Sequence, residues 1–379
     1  MAILRIKYKF IILIMIFLGY SQPVRADDAA KYLAITGPCN LEFPKDHGAH
    51  PGHRTEWWYF TGNLHSPHGN LFGFQLTFFR RQISPPGAEI NWPDPPSAWR
   101  TQQIYLAHAA VSDVAQKAHL QADLIGRGAL KLAGVEQRSP QTRVYLKNWS
   151  ALISSENQVL EVDTDEFAYT LFLTPKKPPV LHGRAGYSLK GSTPDRASCY
   201  YSYTRLDVSG SLTLGDEAFN VSGQGWMDHE FSSASLEPGI IGWDWFSLQL
   251  SDRTEIMLFF LRTSDGGISP VSGGTYVDPV GQTTALGKDD IAVTTLDTWK
   301  SPHSKAVYPS RWRLQVLPYT LDLLVFPNLA DQEMHTSEST GVTYWEGSVS
   351  IRGTKEAIAI QGLGYVELTG YAESFDVPM

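Results

Sequence analysis

Apolar and polar residues alternate in short runs along most of this chain. Residues 56–80 show the pattern clearly: alternate positions are apolar in two stretches, and a polar turn at 66–70 separates them, which predicts a β-hairpin. The apolar positions of this hairpin are Trp58, Phe60, Leu64, Phe72, Phe74, Leu76 and Phe78. Clusters of Gly, Pro, Asn and Asp separate further runs of this kind, and helical periodicity is rare. The pattern predicts an antiparallel all-β protein.

The order of these runs occurs twice. The matching segments are 56–80 with 242–262, 169–175 with 319–327, and 219–231 with 358–370. In the last pair, two glycines precede an aromatic, an aliphatic and an acidic residue: Trp226-Met227-Asp228 and Tyr365-Val366-Glu367. The repeat predicts two domains related by internal duplication, 27–235 and 236–379. Each is a sandwich or a closed barrel, and aromatic residues on both faces of the opening strands favour antiparallel β-barrels.

Residues 1–26 have the pattern of a removable signal peptide. Basic residues precede the apolar run 10–20, and Val24-Arg25-Ala26 offers a small-x-small cleavage site. The apolar run is too short to span a membrane as a helix. We therefore expect an exported protein, periplasmic or secreted, with no transmembrane helix in its mature chain.

The charge of the chain bears on its partners, and its two cysteines bear on disulfide formation. The net charge is −8, from 31 basic and 39 acidic side chains. Because runs of Lys and Arg are absent, poor binding to nucleic acid and to anionic membranes is predicted. The only cysteines, Cys39 and Cys199, form either a disulfide, which export permits, or two free thiols.

Motifs of nucleotide-dependent enzymes and of the commonest hydrolases are absent. The sequence has no Gly-x-Ser-x-Gly elbow and no Gly-x-Gly-x-x-Gly turn. Residues 281–288 resemble a phosphate-binding loop but have five residues between the glycines, and Asp289 follows Lys288. No cofactor is therefore predicted.

The loop before the first strand carries three histidines. His47, His50 and His53 could bind a metal, with His229 and Asp228 completing the ligand set. Because glycine and proline interrupt this loop, the histidine spacing gives no common face. Of the two alternatives, we favour a hydrogen-bonded loop that closes a barrel mouth, rather than a metal site.

Consecutive ionisable residues end the Gly-x-Gly strand of the first repeat. Strand alternation places Asp228 and Glu230 on one face and His229 on the other. An acid among aromatic rings has a raised pKa, which suits it to protonate a substrate. The alternative is a structural ion pair with an arginine.

Two further acids adjoin tryptophans. Glu56 precedes Trp57, and Asp244 lies between Trp243 and Trp245. Each is either a buried anchor that accepts a hydrogen bond from an indole N–H group or an acid that takes part in chemistry.

A series of sequence blocks extends through nearly the whole chain: 43–64, 105–114, 225–233, 242–250, 308–314 and 344–371. They resemble the AttH-like, or hydroxyneurosporene synthase (carotenoid 1,2-hydratase, CrtC-like), family. The resemblance implies tandem lipocalin-like (calycin-type) barrels and a large apolar ligand held by aromatic residues in or near them. We expect the loop and strand of 46–63 to form the lip and first wall of that pocket. The candidate ligand-binding residues are His50, Glu56, Trp57, Trp58, Tyr59, Trp226, Trp243, Asp244, Trp245 and Tyr365.

Two functions remain open at this point. The first is an exported protein that binds a hydrophobic molecule such as an isoprenoid, a lipid or a polyketide-like compound. Since the resemblance includes bacterial members encoded beside ABC transporters, a transporter permease is a candidate partner. The second is a hydratase, isomerase or cyclase in which Asp228 protonates a C=C bond, tryptophans stabilise the cation, and His229 or Glu230 deprotonates water.

Overall fold

Antiparallel strands account for nearly all regular structure in the computed structural model, which describes residues 31–88 and 92–373. The predicted signal peptide, 1–26, lies outside the described residues. Short 3₁₀ helices occur at Lys45–His47, Lys288–Asp290 and Leu317–Tyr319. Within the described ranges, no helix is long and apolar enough to cross a membrane. The all-β prediction is confirmed.

The first sheet is a near-closed barrel. Its strands are β1 (Thr55–His65), β2 (Leu71–Gln82), β3 (Gln103–Asp113), β4 (Ala118–Arg127), β5 (Ala133–Arg138), β6 (Gln141–Leu146), β7 (Trp149–Ile153), β8 (Gln158–Asp163), β9 (Phe167–Pro175), β10 (Val180–Leu181), β11 (Tyr187–Leu189), β12 (Ala197–Leu214) and β13 (Glu217–Ser232). The order is β4-β3-β2-β1-β13-β12-β9-β8-β7-β6-β5, with β10 and β11 added to β12. Strands β2 to β4 contact β6, which brings the two ends of the sheet together. The predicted apolar face of the first hairpin fills the interior, where Trp58, Phe60 and Leu76 are fully buried.

The second sheet is a half-barrel. Its strands are β14 (Ile240–Leu250), β15 (Glu255–Thr263), β16 (Gly273–Val277), β17 (Thr283–Gly287), β18 (Ile291–Lys300), β19 (Val307–Val316), β20 (Leu321–Pro327), β21 (Glu333–His335), β22 (Thr343–Lys355) and β23 (Ile358–Leu368). The order is β17-β16-β15-β14-β23-β22-β20-β19-β18, with β21 added to β22. Phe246, Trp312 and Leu323 pack in its core.

The two sheets repeat one connection pattern. In each, the opening strand (β1 or β14) pairs with its hairpin partner and with the last strand (β13 or β23), which pairs in turn with β12 or β22. The repeated sequence segments fall on equivalent strands, β9 with β20 and β13 with β23. The first sheet has two more strands in its path, β5 and β6, which provide the extra width that near-closure requires.

The outer faces of the two sheets pack against each other, with β1 against β23, β2 against β22 and β12 against β14. Asn63 of β1 donates a hydrogen bond to the Gly364 carbonyl (3.0 Å) and accepts one from Ser348 (2.5 Å). Glu255 of β15 is buried and forms ion pairs with Lys177 and Arg205 of the first domain, both at 2.5 Å. These contacts fix the two sheets relative to each other, so the space between them has a defined shape.

A disulfide joins the segment before β1 to the first barrel. It links Cys39 to Cys199 of β12, whose Cα atoms are 5.9 Å apart. Of the two alternatives that the sequence left open, a disulfide or two free thiols, the structure has the disulfide.

Candidate functional site

A cavity of about 480 Å³ lies between the two sheets. Its aromatic lining comes from both domains and consists of Trp57, Tyr59, Phe79, Tyr200, Trp243, Trp245, Phe259 and Tyr344. The sequence predicted a pocket in or near the barrels, and the structure forms this one between them. The interiors of the two sheets are filled by their own apolar side chains, whereas their outer faces leave space where they meet.

Strand alternation and register decide which side chains reach the cavity. Trp57 and Tyr59 of β1 point into it, whereas Trp58 between them points into the barrel core. In the antiparallel pairing of β1 with β13, Trp57 lies opposite Glu230 and Tyr59 lies opposite Asp228. Each acid therefore sits beside an aromatic ring on the same face, as alternation predicts for Asp228 and Glu230.

Asp228 is a buried acid on the cavity wall, with 3% of its surface exposed. Its carboxyl group accepts hydrogen bonds from Tyr200 Oη (2.6 Å), from Trp226 Nε1 (2.6 Å) and from Ser202 Oγ. Burial raises the pKa of Asp228 to about 7, against the opposing effect of these three donors. Near neutral pH, a large fraction of Asp228 therefore carries a proton.

The second domain contributes two further acids. Glu346 and Glu367 are cross-strand partners on β22 and β23, and both line the cavity. Burial raises the pKa of Glu367 to about 7, while a hydrogen bond from Trp243 Nε1 (3.1 Å) opposes the shift. Burial, together with the charge of Glu367, raises the pKa of Glu346 well above its ordinary value. The cavity thus holds several carboxyl groups that retain protons at a pH where exposed acids are ionised.

Arg80, Arg81 and Lys190 are the basic residues of the cavity lining, and Lys190 pairs with one of its acids. Lys190 Nζ lies 3.0 Å from Glu230 Oε1, and it also lies over the rings of Phe259 (4.5 Å) and Tyr200 (5.1 Å). The two acids differ in their partners: Glu230 forms an ion pair with Lys190, whereas Asp228 has no basic partner within ion-pair distance among the described residues. Two acids on one face of β13 are therefore held in different electrostatic environments.

Glu56, which also belongs to the cavity lining, organises the loop at the barrel mouth. It accepts hydrogen bonds from His50 Nδ1 (2.7 Å), His229 Nε2 (2.8 Å) and Arg80 Nε (2.7 Å). Burial opposes ionisation of Glu56, but these three partners hold its pKa well below the usual range. Burial likewise opposes protonation of His50, yet hydrogen bonds to Asp46 and Glu56 raise its pKa to about 9. The group is a buried ion-pair network, and the partners of Glu56 are two histidines and an arginine rather than the indole N–H group that the sequence suggested.

This network is also where a metal would have to bind. The potential ligand atoms of His50, Glu56 and His229 lie within 4.8 Å of one another. However, the Arg80 guanidinium occupies Oε2 of Glu56, and the protonated His50 adds a second positive charge. Metal binding at this position would therefore have to displace the His50 proton and oppose the Arg80 charge.

Of the metal-ligand set considered from the sequence, His50 and His229 come together with Glu56, whereas His47, His53 and Asp228 lie elsewhere. His47 lies 2.7 Å from the Tyr201 hydroxyl inside the barrel, and His53 contacts the Leu33 carbonyl at 3.0 Å. Asp228 faces the cavity instead.

Several predicted site residues lie outside the cavity lining. His229 and Trp58 face the barrel interior, so His229 does not share the cavity with Asp228, because adjacent residues of a strand point to opposite faces. Asp244 is separated from its neighbours Trp243 and Trp245 for the same reason, and accepts hydrogen bonds from Arg262 and Tyr371. The remaining residues outside the lining are His50, Trp226 and Tyr365.

Sequence reasoning missed Glu346, Glu367, Tyr200 and Lys190. Glu367 had a signal, since it occupies the position of Asp228 in the repeated Gly-x-Gly motif. The other three follow no motif and reach the cavity only through pairing of distant strands.

A family model described as AttH-like matches residues 34–371. The chain belongs to the AttH-like family. A comparison with curated proteins gave no match. Among solved structures, a protein from Nitrosomonas europaea designated AttH is 34% identical to this AttH-like chain, and the match covers 89% of this chain and 100% of that one, with a TM-score of 0.78.

Two more distant structures resemble this AttH-like protein in fold. Kievitone hydratase from Nectria haematococca is 14% identical, covers 91% of this chain and 97% of its own, and has a TM-score of 0.65. CghA, solved with Sch210972, is 12% identical, covers 90% of this chain and 95% of its own, and has a TM-score of 0.56. At these identities, the likeness concerns the fold alone.

Proposed function

We propose that this AttH-like protein binds a large hydrophobic molecule, such as an isoprenoid, a lipid or a polyketide-like compound, in the cavity between its sheets. The observation that carries the proposal is the aromatic lining that both domains contribute to one cavity. Its volume of about 480 Å³ falls within the range of small-molecule pockets. Aromatic walls favour flat, conjugated or branched apolar ligands, because rings bury a large area with little loss of side-chain freedom.

Ligand binding can be tested by tryptophan fluorescence and by native mass spectrometry. Polyenes and isoprenoids of increasing length are titrated into the wild-type protein, into Trp57→Ala and into the control Phe172→Ala. Trp57 lines the cavity, whereas Phe172 is 53% exposed on β9 and is absent from the lining. Loss of the Trp57 ring should weaken binding by about 2 kcal/mol, while the control should leave it unchanged. Equal affinities in the two variants would place the ligand elsewhere.

A second candidate function is acid catalysis on the bound ligand. It is favoured by the raised pKa of Asp228, since an apolar ligand gives no reason to keep a buried, protonated acid at the wall. In this mechanism the Asp228 proton forms a C–H bond with one alkene carbon, the π electrons supply that bond, and the other carbon becomes a tertiary cation. Facing aromatic rings stabilise the cation. Addition of water, with its proton passing to Glu230 or Glu367, gives a tertiary alcohol, while loss of a proton or attack by a second C=C bond gives an isomer or a ring.

The catalytic candidate is tested with Asp228→Asn and the exposed control Asp216→Asn. The amide is nearly isosteric with the acid but cannot deliver the proton, so turnover should fall by at least roughly a hundredfold while affinity changes a few-fold at most. Wild-type turnover should decline as the pH rises through about 7, because the acid form is consumed. If the wild-type protein binds polyenes and forms no product, catalysis is wrong and the binding function stands.

A further inference from the structure

An exposed apolar surface with a basic rim lies beside the cavity, on the outer face of β2, β3 and β4. We propose that this surface docks onto an anionic phospholipid bilayer. It comprises Ile83, Trp99 and Ile125 together with Arg81, Arg100 and Arg127, and is called the Trp99 surface below.

The apolar part of the Trp99 surface is unusually open to solvent. Trp99 is 63% exposed, Ile83 51% and Ile125 46%. Together with Ile104 they line one shallow groove of about 680 Å³. Contiguous exposed apolar groups of this kind mark an interaction site, because scattered single residues are the norm on a protein surface.

The arginines surround this groove although they are distant in sequence. Arg81, Ile104 and Arg127 are direct cross-strand neighbours on β2, β3 and β4, so their side chains project from the same face. Arg127 also donates a hydrogen bond to the Trp99 carbonyl (3.1 Å), and Arg100 stacks over Trp92 at 5.2 Å. The described part of the loop, 92–99, adds one acid, Asp94. On a chain with a net charge of −8, this face is locally positive. The proposal therefore departs from the poor binding to anionic membranes that the absence of Lys and Arg runs predicted.

A bilayer fits this combination of groups. Tryptophan prefers the boundary between lipid tails and headgroups, and arginine binds phosphate oxygens with several donors at once. Isoleucines beside the tryptophan extend the apolar area that enters the boundary region. A folded protein partner would be expected to supply acids in fixed positions, whereas an anionic lipid surface needs only a group of neighbouring arginines such as the three found here.

The Trp99 surface lies next to the cavity, so docking would bring the cavity close to the bilayer; this step rests on the proposed binding function. Phe79, Leu106 and Ile125 are successive cross-strand neighbours on β2, β3 and β4. Phe79 and Leu106 line the interdomain cavity, while Ile125 belongs to the Trp99 surface. An apolar track therefore connects the docking face to the cavity, and a hydrophobic molecule could move between bilayer and cavity without crossing bulk water.

Docking is tested with ligand-free protein by co-sedimentation with vesicles. One set is phosphatidylcholine alone, and the other contains about 30% phosphatidylglycerol. Binding should be at least roughly fivefold tighter to the anionic vesicles and should weaken in about 0.5 M salt. Trp99→Ala should weaken binding roughly tenfold, and Arg100→Gln with Arg127→Gln roughly twenty-fivefold.

A matched control pair is available on the second sheet. Arg311 and Arg352 are exposed arginines that both stack on Phe326, at 5.1 and 4.7 Å, and their double glutamine variant should bind vesicles like the wild type. Absence of vesicle binding, or equal losses in the control and test pairs, would overturn the proposal, as would binding that is insensitive to Trp99→Ala. The vesicle assay uses ligand-free protein, so a negative result would overturn membrane docking without bearing on ligand binding in the cavity. The fluorescence titration tests ligand binding independently.

Discussion

The pKa of Asp228 makes a quantitative prediction about stability. In the folded protein burial raises this pKa from 3.8 to about 7. A group whose pKa is higher in the folded state contributes stability below its unfolded pKa and loses that contribution as the pH rises toward its folded pKa. The loss therefore spreads from about pH 4 to about pH 7. A difference of roughly three pKa units corresponds to about 4 kcal/mol, because each unit is worth about 1.4 kcal/mol. Asp228→Asn has no proton to release and should lack this part of the pH dependence.

The assay is urea unfolding of the wild-type protein, Asp228→Asn and the exposed control Asp216→Asn between pH 4 and pH 8. Glu367 titrates in the same range and is itself raised by the charge of Asp228, so the wild-type curve contains more than one group. The informative quantity is the wild-type change in unfolding free energy over this range minus the change in the variant. We expect about 4 kcal/mol for Asp228→Asn and close to zero for Asp216→Asn. Parallel curves for the wild type and Asp228→Asn would refute the assignment of a buried, protonated acid.

Other predictions concern the network, the disulfide and the interface. Glu56→Gln should lower the unfolding free energy by about 3–5 kcal/mol, measured by urea unfolding, because it leaves Arg80 buried without its ion-pair partner; exposed Glu42→Gln should not. The Cys39–Cys199 disulfide closes a loop with a sequence separation of 160, so its reduction should lower the unfolding free energy by up to about 5 kcal/mol in the same assay. An unchanged urea midpoint after reduction would contradict the bond. Asn63→Ala should cost about 1–3 kcal/mol, since it leaves the buried Gly364 carbonyl and Ser348 hydroxyl without this partner; a loss below about 0.5 kcal/mol would show that the interface does not depend on it.

The sequence by itself determined the strands and their faces. A period of two sends alternate side chains to opposite sides of a sheet, so the pattern was enough to put Asp228 with Glu230 on one face and Trp58 with Phe60 on one face. It did not decide that Trp58 faces the barrel core, and Trp58 was wrongly included among the candidate ligand-binding residues. The duplicated motifs predicted two units with the same connections, because equivalent segments with equivalent patterns form equivalent pairings. Two cysteines left one possible disulfide. Each of these inferences depends on local periodicity, repetition or counting.

Only the tertiary structure decided which faces meet. Alternation predicts that Asp228 and Glu230 share a side of β13. It does not predict that Trp57 lies on that side, which the register of β1 with β13 sets, or that this side packs against β22 and β23 of the second sheet. That packing brings Glu346 and Glu367 to the same cavity as Asp228, where removal of water raises their pKa values. Strand pairing likewise gathers arginines that are far apart in sequence into one basic face of an acidic protein. Proximity and burial come from long-range packing, and a charge pattern along the chain contains neither.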